Sequence, residues 1–244
     1  MSHLYLDETL DLAAATTGDE LRLTGDEARH AVTVSRLRAG EQVAIGDGRG
    51  VLAQCTVLET APRELVLEVV AVERTPAPSP RITLVQALAK GDRDELAVQA
   101  ATELGVDAIV PWSAGRSVSR WEGAKAEKGR ARWAAIVREA TKQSIRPWMP
   151  EVAPLTSTAG LAALVEGARV LLLEPTAQAP LTGIRHDGRD LVLVVGPEGG
   201  ISPAEIERLV ASGAETVRLG ASVLRTSTAG PAAIAVLNAE LGRW

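Results

Sequence analysis

Residues 191–230 read LVLVVGPEGGISPAEIERLVASGAETVRLGASVLRTSTAG, and this stretch decides the fold of the 244-residue chain. Its first five residues, 191–195, are all apolar, which is typical of a strand buried on both faces of a parallel sheet. Ser202, Pro203 and Glu205 form the pattern of a capping box with proline at the first helical position. A helix is therefore predicted from there to Gly213, followed by a second strand over residues 216–219.

Each of these two strands runs into a glycine turn, the first at residues 196–200 (GPEGG) and the second at Gly220. Ligands of open parallel sheets bind at the carboxyl ends of the strands, and glycine lets a backbone approach a ligand closely. Residues 219–229 (LGASVLRTSTA) add an arginine and several hydroxyl groups. The pattern predicts a binding crevice, although GPEGG taken alone is also compatible with a tight turn that binds nothing.

The glycine loop does not match the common nucleotide-binding motifs. A dinucleotide-binding loop reads G-x-G-x-x-G and opens its domain, whereas this loop reads G-x-x-G-G and lies near the end of the chain. The P-loop pattern G-x-x-x-x-G-K-[ST] does not occur in the sequence. A nucleotide-dependent dehydrogenase is therefore disfavoured.

The chain divides into two predicted domains. Residues 1–74 predict a small β-rich domain of five short strands and one helix (27–37), arranged as a compact barrel. Residues 75–80 hold three prolines and form the linker. Residues 81–244 alternate between strands and helices, which predicts an α/β domain with a mostly parallel sheet. Its elements are strands at 81–88, 108–112 and 169–173, helices at 92–104, 124–144 and 158–166, the 191–219 unit and a last helix to Leu241.

The composition excludes several other classes of protein. A single cysteine, Cys55, rules out an internal disulfide, and its alternating apolar surroundings predict a core position. The three scattered histidines give no readable metal site. No signal-like start and no apolar run of about 18 residues occur, so we expect a cytoplasmic protein without a membrane segment.

The charge distribution is uneven. The net charge of −5 argues against a nucleic-acid partner, but residues 116–146 carry nine Lys or Arg against three acidic residues, Glu122, Glu127 and Glu139. An acidic protein with one local basic stretch can still bind phosphate there. The alternative is a solvated helix face.

Several motifs occur together in the order of one known family. Taken singly each motif is weak, but their joint order resembles the RsmE family, the bacterial 16S ribosomal RNA uridine-N3 methyltransferases of the SPOUT class. The match covers nearly the whole chain. The motifs are Gly40-Glu41, Gly46-Asp47-Gly48, Gly91-Asp92-Arg93, Glu103-Leu104-Gly105-Val106, Arg116-Ser117-Val118, Gln143-Ser144-Ile145-Arg146, GPEGG and LGASVLRTSTA.

The resemblance implies a fold, a cofactor and a reaction. The fold would be a PUA-like RNA-binding domain (1–74) and a SPOUT domain (81–244) with a C-terminal trefoil knot, in a homodimer. The reaction would be methylation of N3 of a specific uridine in the 16S rRNA of the small ribosomal subunit. S-adenosylmethionine would bind in the knot, against Leu173, Glu174, Pro175, Gly196, Pro197, Glu198, Gly199, Gly200, Leu219, Gly220, Val223, Leu224, Thr226 and Thr228.

Two residues are candidates for the chemistry. Glu198 could act as a base or hold the cofactor, although a loop carboxylate also often binds local N–H groups. Arg225 could stabilise the uracil anion or bind a phosphate. The family often carries a glutamate where this chain has Ser227, which leaves the role of that position open. The candidate RNA contacts are Arg36, Arg38, Arg116, Arg120, Gln143 and Arg146.

Two alternatives stay open on the sequence. The first is a SPOUT methyltransferase that acts on another rRNA position or on a transfer RNA. The second is an RNA-binding or ribosome-assembly module whose α/β domain has lost activity, which cofactor binding would distinguish.

Overall fold

The computed structural model describes residues 3–244, which fold into two compact units. The first unit contains the chain through Ala77 together with Thr141–Met149. The second contains Pro78–Ala140 and Pro150–Trp244. The segment Thr141–Met149, which the sequence pattern places within residues 81–244, thus packs with the first unit.

The first unit is built on a five-stranded mixed sheet. Its strand order is β1-β3-β4-β5-β2, with β1 parallel to β3 and the other pairs antiparallel. Because β1 and β2 are the two edges, the predicted barrel takes the form of an open sheet. The strands are β1 (Leu4–Leu6), β2 (Glu20–Thr24), β3 (Gln42–Gly46), β4 (Val51–Ala61) and β5 (Glu64–Arg74).

The helix predicted over residues 27–37 is shorter and irregular. An α-helical turn, α1 (Gly25–Arg29), continues into a π-helical turn at His30–Val34. Arg36 then adopts a left-handed backbone conformation with φ of 56°. Such a φ is uncommon for a residue with a side chain and ends the helix before Leu37.

Contacts of several kinds hold Thr141–Met149 against the rest of the first unit. Lys142 forms an ion pair with Glu27 of α1, with 3.1 Å between Nζ and Oε1, and both side chains are largely buried. Trp148 donates its indole N–H to the carbonyl of Thr75 at 2.9 Å. A Cβ at Gly50 would lie 2.7 Å from the Trp148 ring, so the ring packs where a side chain is missing.

The second unit is a six-stranded sheet in which every pair is parallel, in the order β11-β9-β10-β6-β7-β8. Of the six α-helices in the described chain, α2–α6 alternate with these strands. The strands are β6 (Ile82–Ala87), β7 (Ala108–Trp112), β8 (Glu151–Val152), β9 (Ala168–Leu173), β10 (Asp190–Val195) and β11 (Glu215–Val217). The helices are α2 (Arg93–Glu103), α3 (Ala124–Gln143), α4 (Thr158–Leu164), α5 (Pro203–Ala211) and α6 (Thr226–Glu240).

The predicted strand–helix–strand unit at residues 191–219 is confirmed. Leu191 to Val195 are all buried in β10, as the apolar run predicts. Helix α5 begins with the predicted capping box, in which the Ser202 hydroxyl accepts from the N–H of Glu205 and the Glu205 carboxylate accepts from the N–H of Ser202. Strand β11 ends at Val217, two residues earlier than predicted, so Leu219 belongs to the following loop. The trefoil knot stays a prediction of the resemblance.

Candidate cofactor crevice

A crevice of about 410 Å³ opens at the carboxyl edge of the parallel sheet. The loops that follow β9, β10 and β11 form its walls, and Arg93 reaches it from the start of α2. The three strands are neighbours in the order β11-β9-β10, so their carboxyl ends converge at one place. This edge is the usual ligand-binding position of an open parallel sheet.

The residues predicted to bind the cofactor lie together in this crevice, except for Gly199 and Thr228. Gly199 turns its carbonyl toward Arg116, whose Nη1 donates to it at 3.0 Å. Thr228 is exposed in the first turn of α6. Those that line the crevice are Leu173, Glu174, Pro175, Gly196, Pro197, Glu198, Gly200, Leu219, Gly220, Val223, Leu224 and Thr226.

The GPEGG loop is a tight turn that leaves no room for a side chain at Gly196. A Cβ at Gly196 would lie 2.8 Å from Ile201 Cγ1 and 3.0 Å from the Ile201 backbone nitrogen. Gly200 has φ of 71°, a conformation that favours glycine, and its N–H donates to the carbonyl of Pro197 at 2.8 Å. The backbone of the loop itself therefore forms the crevice wall.

The Glu198 carboxylate is held by two donors from the segment after β6. Its Oε1 accepts from Arg93 Nη1 at 2.7 Å and from the backbone N–H of Lys90 at 3.0 Å. Burial by itself raises the pKa of this carboxyl, but its own backbone N–H, Arg93 and Lys90 outweigh that effect, so the pKa lies below its usual 4.5. Glu198 is therefore an ionised, anchored group at neutral pH.

The two predicted RNA contacts on the second unit, Arg116 and Arg120, donate hydrogen bonds to backbone carbonyls of nearby loops. Arg120 donates to the carbonyls of Ala114 and Gly115 at 2.9 and 3.2 Å, and Arg116 holds Gly199 as described. Glu205 extends this arrangement beyond its capping box. Its Oε1 accepts from the N–H of Gly115 and from the hydroxyl of Thr158, both at 2.8 Å. Both arginines are exposed, so their surfaces stay accessible.

The other four predicted RNA contacts lie on the first unit. Arg36, Arg38 and Gln143 are exposed, and Arg146 is half-buried. The structure therefore divides the predicted RNA contacts between the units, with Arg116 and Arg120 on the second.

The two candidate catalytic residues differ in their surroundings. Glu198 is ion-paired, whereas the Arg225 guanidinium has no hydrogen-bond or ion-pair partner among residues 3–244 and lines the crevice. Ser227, at the position where the family often has glutamate, is half-buried in the first turn of α6.

Sequence reasoning missed several residues that line the crevice. The available signals were the Gly91-Asp92-Arg93 motif, which contains one of them, and the position of the others beside predicted strand ends. They are Arg93, Val195, Ile201, Val217, Arg218 and Ala229. Within the described range, 3–244, no group of three or more His, Cys, Asp or Glu is arranged to hold a metal ion. None of the helices in that range is long and apolar enough to cross a membrane.

Two family models match the chain. Residues 75–238 match an RNA methyltransferase domain, and residues 23–70 match an RNA methyltransferase PUA domain. The first of these matches covers the crevice described above, and the second covers most of the five-stranded sheet.

Relatives and solved structures agree with these matches. The chain is 43% identical to the ribosomal RNA small subunit methyltransferase E of Mycobacterium bovis, over 98% of this chain and 92% of the relative. It is 32% identical to the protein of that name from Bacillus subtilis, over 85% of each chain. The crystal structure of the Neisseria gonorrhoeae protein of that name, bound to S-adenosyl methionine, has a TM-score of 0.87 at 30% identity and 98% coverage of both chains.

A second cofactor complex has the same fold. A methyltransferase of Legionella pneumophila, in complex with the bound cofactor SAM, has a TM-score of 0.82 at 26% identity and 98% coverage of both chains. Given these matches over nearly its whole length, this chain belongs to the ribosomal RNA small subunit methyltransferase E family.

Proposed function

We propose that this protein transfers a methyl group from S-adenosylmethionine to N3 of a specific uridine in the 16S rRNA of the small ribosomal subunit. The observation that carries the proposal is the backbone-walled crevice at the ends of β9, β10 and β11, in a chain that belongs to this family. The proposed partner is 16S rRNA within the subunit, in the cytoplasm, and the proposed assembly is a homodimer.

The crevice residues fit S-adenosylmethionine in size and chemistry. A volume of about 410 Å³ lies within the range of small-molecule sites. Leu219, Val223 and Leu224 offer apolar surface, while backbone N–H and C=O groups can hold a purine and a ribose. Glu174 also lines the crevice, and its carboxylate suits a positively charged ligand.

The proposed reaction replaces the proton on N3 of the uracil with a methyl group. When bound, the cofactor supplies a methyl group on a sulfonium; the N3–H bond of the uracil and the S–CH₃ bond break, and an N3–CH₃ bond forms. The protein contributes by holding the two reactants in line and by stabilising the charge that develops on the uracil. We assign charge stabilisation to Arg225, whose guanidinium lines the crevice without a partner in the described chain.

We assign Glu198 to positioning rather than to proton removal. A carboxylate that is held ionised by Arg93 and two N–H groups is a weak proton acceptor at neutral pH. Glu198 was predicted to act as a base or to hold the cofactor, with a loop carboxylate that binds local N–H groups as the alternative. The bonds from Arg93 and Lys90 favour that alternative, in which Glu198 holds the cofactor loop in place. The N3 proton then passes to solvent at the mouth of the crevice.

RNA recognition is assigned to exposed basic residues on both units. Arg36 and Arg38 on the first unit and Arg116 on the second present guanidinium groups that suit phosphate. Arg120 contributes by fixing the loop that carries Arg116. Gln143 and Arg146 extend the surface of the first unit.

Methyl transfer from radiolabelled S-adenosylmethionine tests the proposal. Three substrates are compared: small ribosomal subunits that lack the modification, naked 16S rRNA and bulk tRNA. We expect label in the ribosomal substrates and none in tRNA. Label in tRNA alone would assign a different substrate, and no label with no cofactor binding by calorimetry would leave an RNA-binding or assembly module.

A further inference from the structure

We infer that Gln86 is a positioning residue of the cofactor crevice, which acts through the hydroxyl of Thr226 on the carbonyl of Gly196. The inference rests on the proposed function, because it concerns the binding of the same cofactor. Gln86 does not line the crevice, so it would act without touching the ligand.

The three residues form a continuous chain of hydrogen bonds. Gln86 Nε2 donates to Thr226 Oγ1 at 2.9 Å, and Thr226 Oγ1 donates to the carbonyl oxygen of Gly196 at 2.7 Å. Gln86 is fully buried in β6 and Thr226 is nearly so at the start of α6. The chain thus links a core strand to the first residue of GPEGG and to the end of the 218–225 loop.

The polar side chain of Gln86 is unusual for its position. Its neighbours in β6, Val85 and Ala87, are fully buried and apolar. Its Oε1 is buried without a hydrogen-bond partner in the structure, and an unpaired buried acceptor destabilises a fold. A leucine there would avoid this penalty, so the contribution of Gln86 lies in its Nε2 donor.

These hydrogen bonds orient the Gly196 carbonyl, which side-chain packing cannot do. Gly196 has no side chain by which its peptide could be held, and a Cβ there would collide with Ile201. The hydroxyl of Thr226 fixes the direction of the Gly196 carbonyl, and Gln86 fixes the hydroxyl by donating to it. The Thr226 hydroxyl therefore both donates and accepts within the protein, and Thr226 shapes the crevice rather than binding the ligand by its hydroxyl.

Three variants of the full chain test this arrangement: Gln86→Leu, Thr226→Val and Thr226→Ser. Calorimetry gives the dissociation constant of S-adenosylmethionine, the methyl-transfer assay gives KM and kcat, and thermal unfolding gives Tm. The matched control is Thr102→Val, which removes a buried hydroxyl that donates to Val98 within α2, away from the crevice.

We expect Thr226→Val to raise the dissociation constant and KM about tenfold or more. The variant leaves the Gly196 carbonyl without its hydrogen bond, and the loss of one such bond lowers affinity by about that factor. Gln86→Leu should raise them about three- to tenfold, and Thr226→Ser should stay close to the wild type. The double variant should bind no more weakly than Thr226→Val, because the two residues act in one chain. The control should lower Tm without changing the dissociation constant.

Two results would overturn the inference: wild-type affinity in Gln86→Leu, or a Thr226→Ser variant that binds as weakly as Thr226→Val. If Thr226→Val does not fold, Gln86→Leu decides the question alone, because leucine suits a buried strand. A wild-type protein that binds no S-adenosylmethionine would contradict the proposed function instead, so the two failures are distinguishable.

Discussion

Arg93 and Glu198 join two loops that are 105 residues apart in the sequence, with 2.7 Å between Nη1 and Oε1. Arg93 begins α2 after β6, and Glu198 is the carboxylate of GPEGG after β10. Strands β6 and β10 are paired neighbours, so this ion pair closes the carboxyl edge of the sheet at the crevice. The pair therefore links the position of one cofactor loop to that of α2.

Arg93→Ala should weaken the binding of S-adenosylmethionine about three- to tenfold. The free energy of unfolding should change by less than about 1 kcal/mol, because both side chains of the pair are partly exposed to solvent. Calorimetry and thermal unfolding measure the two effects. The control Arg132→Ala removes the ion pair of Arg132 with Glu95, which does not line the crevice, and should leave the affinity unchanged. An equal loss of affinity in both variants would contradict the assigned role of Arg93.

Gly196→Ala should reduce cofactor affinity by about tenfold or more. The added Cβ lies within 3.0 Å of both the side chain and the backbone of Ile201, so the loop must move, and a displacement of about 1 Å is enough for such a loss. Titration calorimetry measures the change. Gly167→Ala is the matched control, because a Cβ there meets nothing within 4 Å. Unchanged affinity in Gly196→Ala would show that the loop is looser than its contacts indicate.

Glu205→Gln should reduce the free energy of unfolding by about 1–2 kcal/mol at pH 7, because an amide nitrogen would face donors that now bind a carboxylate. Burial raises the pKa of the Glu205 carboxyl, but hydrogen bonds from the Ser202 hydroxyl, the Gly115 N–H and the Thr158 hydroxyl outweigh that effect, so the pKa lies below its usual 4.5. A lowered carboxyl pKa stabilises the fold above the unfolded-state pKa, and that contribution is lost as the pH falls through the folded-state pKa.

The difference in the free energy of unfolding between wild type and Glu205→Gln should therefore reach its maximum at pH 7 and shrink as the pH falls below about 4.5. Chemical denaturation at several pH values checks this dependence. Glu207→Gln, a change of an exposed carboxylate on the same helix, is the control and should show no such pattern. A difference that is constant down to low pH would mean that the charge of Glu205 is not the cause.

Alanine substitution of Arg36 and Arg38 should weaken binding to 16S rRNA and reduce the slope of log affinity against log salt by about 1 for each phosphate that is no longer neutralised. Cofactor affinity should stay at the wild-type value, because both residues belong to the first unit and the crevice to the second. Filter binding over a range of salt concentrations gives the slope. Arg63→Ala, which breaks an exposed ion pair with Asp26, is the control. An unchanged salt slope would remove Arg36 and Arg38 from the RNA surface.

Sequence patterns predicted most of the helices and strands because each of these elements is specified by residues that are close together in the chain. The apolar run of β10 and the capping box of α5 depend on residues close in sequence, and both are confirmed. The convergence of the glycine loops follows from parallel pairing, so the position of the crevice was also predictable. The roles assigned to its residues stay predictions until they are measured.

The contacts that sequence reasoning missed join residues distant in sequence. No pattern around Glu198 indicates that Arg93 pairs with it, although both lie in motifs quoted for the family. Gln86 had a weak signal, since it is a polar residue between Val85 and Ala87 in a mostly apolar strand. The packing of Thr141–Met149 on the first unit includes the pairing of Lys142 with Glu27, 115 residues away. Only the assembled structure brings such pairs together.

The central claim is tested most directly by identifying the methylated nucleoside. Small ribosomal subunits that lack the modification are incubated with the protein and S-adenosylmethionine, and the digested 16S rRNA is analysed by mass spectrometry against authentic N3-methyluridine. The account predicts N3-methyluridine at a single position, and its absence in a reaction with heat-inactivated protein. A different methylated nucleoside, or no methylated nucleoside from a protein that binds the cofactor, would contradict the account.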